Sequence, residues 1–160
     1  MKKRGLRFQK SLSVKIALIL TLLGISLLPI NVLEIQTEEG TETCSLFLNP
    51  EIILEVYYTH SVSLTAVVDI YRINKNGIWA IEERWQQFDA GQPIDFSKIE
   101  KGFFIKEMNM FLGKEWSYWF IPLNRASIKL GSKYVFHEIK KEGKVIFRVK
   151  RAPFLFTLIN

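Results

Sequence analysis

Cysteine is nearly absent from this chain: Cys44 stands alone in 160 residues, so no disulfide can form within it. Histidine is almost as scarce, with only His60 and His137, far apart in sequence. A dedicated zinc site draws on clustered Cys, His or carboxylate ligands, and no metal is expected. The nine glycines fall mainly at turns, and no Gly-rich phosphate loop is present. No cofactor is expected. Internal repeats and low-complexity tracts are also missing. After residue 34 no stretch keeps helical spacing for three turns, which excludes a helical domain.

Basic residues outnumber acidic ones by six, but their placement removes nucleic acid as a partner. Residues 1–15 contain Lys2, Lys3, Arg4, Arg7, Lys10 and Lys15 and no acid, leaving 16 bases and 16 acids in the rest. The excess belongs to a tail rather than to a basic face. Beyond it the charge is polarised: residues 34–124 carry 14 acids and 7 bases, residues 125–160 carry 9 bases and 2 acids. Two halves of opposite sign can attract each other, or the basic one can face an anionic surface.

The basic tail, residues 1–15, leads into an uncharged run, Ile16 to Leu33, rich in Leu and Ile. Its 18 residues approach the roughly 20 needed to cross a bilayer. They exceed the roughly 7–15 of a secretory signal's apolar region. Pro29, Asn31 and Glu34 then follow, with no A-x-A-like box after the run. Residues 16–33 are therefore expected to be a signal anchor, with a cleaved signal peptide and secretion as the alternative. Basic residues before the run and Glu34, Glu38, Glu39 and Glu42 after it put the N-terminus in the cytoplasm and the remainder outside. Residues 34–43 are expected to be a linker, and residues 44–160 an extracytoplasmic domain.

That domain reads as strands. "CSLFLN", "EIILEVYY", "LTAVVDIYRI", "IWAIEERWQQF", "GFFIKEMNMFL", "EWSYWFIPL", "ASIKL", "KYVFHEIKKEGKVIFRVK" and "FLFTLI" are short, β-branched or aromatic, and bounded by turn residues. "NKNG" predicts a hairpin, with Asn76-Gly77 the strongest such signal in the chain. Lys140–Gly143 predicts a second. The expectation is an all-β fold of about eight strands, a small antiparallel sandwich or a partly open barrel.

"YYTHSVSLTAVVDIY" places His60 and Ser61 side by side, with Thr65 and Asp69 downstream. Neighbours on an extended strand point to opposite faces, so His60 is badly placed to deprotonate Ser61. A Ser-His hydrolase is thus less expected than a non-enzymatic accessory or interaction module, or than a small-ligand-binding domain, and the domain is expected not to be an enzyme. Glu82 and Glu83 likewise face opposite ways and read as a solvated edge. "FDAGQP" requires a sharp turn at Gly91 before Pro93, where backbone could approach a ligand.

These two stretches together resemble an uncharacterised domain-of-unknown-function family of short exported proteins. Tyr58, His60, Ser61, Val62, Thr65 and Tyr71 match its Y-x-H-S-V-x-x-T-P-x-x-E-x-Y pattern, and Phe88, Ala90, Gly91 and Pro93 match F-x-x-G-A-G-x-P. Ala66 replaces its Pro, Asp69 its Glu and Asp89 its first Gly. The resemblance implies a role tied to TRAP-type solute transporters, particularly those with a TAXI-type binding protein. It makes His60, Ser61, Thr65, Asp69, Gly91 and Pro93 the candidate ligand- or partner-binding residues. A chain reversal near Ser63 would bring His60 and Asp69 within reach of each other. Such a pair would either lock two strands or bind a small ligand, an organic anion among the candidates.

Overall fold

The computed structural model describes residues 3–47, 49–88 and 91–155, with side chains from Val14 onward. The described residues form a helix, α1 (Lys3–Ser26), and eleven strands. In order these are β1 (Pro29–Thr37), β2 (Gly40–Ser45), β3 (Glu51–Thr59), β4 (Ala66–Asn74), β5 (Gly77–Trp85) and β6 (Lys98–Glu100). Then follow β7 (Phe103–Gly113), β8 (Glu115–Phe120), β9 (Ser127–Leu130), β10 (Lys133–Phe136) and β11 (Gly143–Pro153). Every pairing is antiparallel, in a four-stranded sheet ordered β2-β1-β11-β8 and a seven-stranded sheet ordered β10-β9-β3-β4-β5-β7-β6. The all-β expectation holds as two sheets without barrel closure.

Period-two patterning builds the core between the sheets. Val145, Phe147 and Val149 alternate along β11 with the more exposed Lys144, Ile146 and Arg148. Together with Leu33 and Ile35 of β1 and Phe120 of β8 they pack on Leu54, Val56, Tyr71, Ile73, Ile78 and Ile128 of the larger sheet. The two oppositely charged halves of the chain meet across strand pairs. Glu34 takes both Arg148 and Lys150 from β11, and Glu55 takes Lys129 at 2.8 Å.

Several sequence expectations are corrected. The uncharged run is not one element: α1 stops at Ser26, and Pro29–Leu33 belongs to β1. Val32 and Leu33 are fully buried, and β1 pairs with β11 from Pro29 to Gln36. Burial in the sandwich thus claims residues that looked like the end of a membrane span. Among the described residues no helix is long and apolar enough to cross a membrane. The presumed linker, residues 34–43, completes β1 and starts β2, because Thr37 caps a tight turn by accepting from the Glu39 and Gly40 backbone N–H groups at 3.0 and 3.2 Å. Lys140–Gly143 is no hairpin either. β10 pairs with β9 in one sheet and β11 with β1 and β8 in the other, so this segment crosses between sheets. The last expected strand, "FLFTLI", lies mostly outside the described residues.

The Asn76-Gly77 hairpin is present as predicted, joining β4 to β5 with Asn74 opposite Gly77. Gly77 has φ +149°, and a Cβ there would sit 2.4 Å from the Gly113 carbonyl oxygen and 2.7 Å from the Phe111 ring. The carbonyl belongs to the neighbouring strand β7 and cannot swing aside. Gly77→Ala is expected to destabilise the domain by about 1–3 kcal/mol, read from the urea midpoint.

Candidate functional site: an acidic, aromatic-walled cavity

β4 sends Asp69, Tyr71 and Ile73 to the inner face of its sheet, and Ile73 closes into the core while Asp69 does not. Asp69 lies opposite Glu83 of β5, which in turn lies opposite Lys106 of β7. Directly opposed residues on antiparallel strands share a face, so the two carboxylates stand side by side. Tyr118 of β8 crosses from the other sheet and donates its hydroxyl hydrogen to Asp69 Oδ2. A phenol has one hydrogen to give, so Tyr118 accepts from Tyr71, to which it is also bonded. The result is a chain running Tyr71 to Tyr118 to Asp69, and the Tyr58 hydroxyl of β3 bonds the same carboxylate.

Tyr58, Asp69, Tyr71, Glu83 and Tyr118 line a cavity of about 220 Å³ between the sheets, together with Met108, Met110, Trp116 and, from the β5–β6 loop, Gly91. Gly91 has φ +98°, a conformation that favours glycine. Phe88 holds this loop down, with ring centroids 4.4 Å from Phe104 and 5.8 Å from Trp85. Among the lining residues no Lys, Arg or His occurs, whereas Asp69, Glu82 and Glu83 all do. Glu82 is ion-paired with Arg84.

Burial dominates the acidity of both inner carboxyls. It pushes Asp69 up to about 6, against the hydrogen bonds from Tyr118 and Tyr58, which act to lower it. Glu83 is pushed up to about 7, first by burial and then by the charge of Asp69, with Lys106 pulling the other way. The pair therefore exchanges protons close to neutrality, and its charge can be neutralised by a proton or by a bound cation. Tyr71 and Tyr118 are raised by burial and by the same carboxylate, so both remain protonated hydrogen-bond donors.

Of the six residues singled out from the sequence, Asp69 and Gly91 line this cavity and the others do not. β3 and β4 do pair, but their last rung is Thr59–Ala66, and His60 lies in the turn beyond it. Asp69 is three rungs further along, opposite Val56, which is roughly 10 Å of strand. The expected His60–Asp69 pair is therefore not formed. His60 instead organises the turn: its N–H donates to the Thr65 carbonyl at 2.8 Å, and its Nδ1 lies 3.1 Å from Ser63 Oγ. Thr65 joins through its hydroxyl, 2.9 Å from Ser63 Oγ, while Ser61 is exposed. Pro93 follows Gly91 in the loop without lining the cavity. Asp89 and Ala90 of the second motif lie outside the described residues.

Sequence reasoning missed Glu83, Tyr118, Trp116 and the two methionines. Glu83 was readable in part, since the Asn76-Gly77 hairpin sets β5 against β4 and must put one of the two glutamates opposite Asp69. Tyr118 comes from the opposite sheet, and nothing local announces it.

A two-sheet antiparallel β domain with a half-buried carboxylate pair at the sheet interface is the class defined by this geometry. Residues 54–136 match the model of DUF1850, a domain of unknown function, and the chain belongs to that family. The match runs from β3 to β10 and contains Tyr58, Asp69, Glu83 and Tyr118, with β1 and β11 outside it. No curated protein and no solved structure matches the chain.

Proposed function

We propose that this chain is a non-enzymatic extracytoplasmic binding domain whose Asp69–Glu83 cavity takes a small organic cation in the service of solute transport. One observation carries the reading: two carboxylates stand side by side between aromatic walls, with no basic side chain lining the space. An ammonium group would accept both carboxylates as hydrogen-bond and ion-pair partners, and Tyr58, Tyr118 and Trp116 would face it with their rings. At about 220 Å³ the cavity is below the usual range for drug-sized ligands, so the guest is a molecule of few heavy atoms. An organic anion, the alternative ligand class, would meet like charge. The basic–apolar N-terminal segment supports delivery across the membrane, and the family resemblance supplies a TRAP-type transporter or its binding protein as the partner to test by co-purification.

Calorimetry on the full chain in mild detergent tests the site, using ethanolamine, choline and methylammonium against acetate and succinate. Binding is expected for an amine, strengthening from pH 5.5 to pH 8 as the carboxyls ionise. Asp69→Asn and Glu83→Gln are each expected to weaken it at least tenfold, while His60→Ala binds as wild type does. No heat from any amine, preference for the carboxylates, or unchanged affinity in Asp69→Asn would each defeat the proposal.

A further inference from the structure

The division of the apolar run at Ser26 changes what the N-terminal segment can be. Once Pro29–Leu33 is committed to β1, the uncharged residues left outside the sandwich are Ile16–Leu28. As helix these 13 residues span about 20 Å, short of the roughly 30 Å hydrocarbon core but within the length of a signal peptide's apolar region. Every side chain from Val14 to Ile25 is exposed, so the sandwich does not pack against α1 and does not need it. At the end of α1 stands Gly24-Ile25-Ser26, two small residues flanking a large one. A search for such a box after Leu33 passes over it, because the run looks unbroken in sequence.

We infer that Gly24-Ile25-Ser26 is a signal-peptidase recognition box and that the exported protein begins at Leu27. Small residues three positions before and immediately before the cut are the pattern that this class of peptidase accepts. The step is hydrolysis of the Ser26–Leu27 peptide bond by the host's membrane peptidase: water supplies the new carboxylate oxygen at Ser26, and Leu27 acquires a free amine. Leu27 and Leu28 are exposed and lie between helix and strand, where a protease can reach the chain. The fold loses little. The Leu155 N–H gives up its bond to the Ser26 carbonyl, while the Phe154 N–H keeps its bond to Leu28 and the whole β1–β11 ladder stays intact.

The test is expression of the full chain in bacteria, followed by fractionation, intact mass and N-terminal sequencing. A product starting at Leu27 and released from the membrane is expected. Ser26→Phe and Gly24→Leu should each leave an uncut, membrane-held chain, and Ser26→Ala should be processed as wild type. Because both bulky substitutions lie ahead of β1, an uncut variant that still resists protease outside α1 shows that folding was preserved. An uncut wild-type chain, a new terminus elsewhere, or normal processing of both bulky variants overturns the inference.

Discussion

Leu33→Ala is expected to destabilise the domain by about 2–5 kcal/mol, while Leu22→Ala, eleven residues earlier in the same uncharged run, is expected to change stability by less than about 0.5 kcal/mol. The two leucines are alike in sequence context and opposite in environment. Leu33 is fully buried, stands between Val149 of β11 and Cys44 of β2, and belongs to the core that joins the sheets. Truncating it removes buried methyl groups and leaves a void that the strands on either side, each held in a ladder, cannot close. Leu22 is 58% exposed on α1 and loses no packing within the protein. Urea unfolding of both variants in the same mild detergent checks the contrast. Equal and small effects would mean that β1 is not part of the folded domain.

The second large effect concerns charge. In an unfolded chain Asp69 and Glu83 release their protons near their ordinary values, 3.8 and 4.5, but in the fold they hold them to about 6 and about 7. The folded state therefore binds more protons between about pH 4 and pH 7, and stability must fall as pH rises through that window. The contribution is complete below about pH 4 and gone above about pH 7. For Asp69, the more enclosed of the two, it amounts to on the order of 3 kcal/mol, and Glu83, more open to solvent, adds less. Asp69→Asn keeps an oxygen to accept from Tyr118 and removes the charge. It is expected to be more stable than wild type by about 1–3 kcal/mol at pH 8, with the difference shrinking towards pH 5. A difference that stays flat between pH 5 and pH 8, measured by urea denaturation, would refute the assignment.

Much of the larger sheet was legible. Period-two alternation and the Asn76-Gly77 turn place β3, β4 and β5 side by side, and Asp69 shares the parity of Tyr71 and Ile73, which points it inward. Counting back from that turn, however, puts Glu82 opposite Asp69. The ladder has an irregularity between Ile70 and Tyr71, where an extra residue on β5 moves the partner to Glu83. A bulge turns a strand's side chains over, and no residue in "WAIEERW" marks it. β1 was hidden for a different reason. A run of Leu and Ile followed by "PINVL" satisfies a membrane span, a signal and a buried strand equally well, and only the pairing with β11 decides among them. His60 stands out in the sequence because a turn that bonds to itself concentrates the same polar residue types as a binding site does.

Among the described strands β11 comes last in sequence, and it is the inner strand that holds β1 and β8 in one sheet. Until it arrives the smaller sheet exists only as a β1–β2 hairpin and a lone β8, with much of the core uncovered. The smaller sheet therefore cannot close until residues 143–153 have been made, since β1 pairs with β11 from Pro29 to Gln36. Contacts so distant in sequence form slowly. On the export proposed above, that delay would be an advantage, because a chain threaded N-terminus first through a translocation pore would carry an incomplete smaller sheet during the passage.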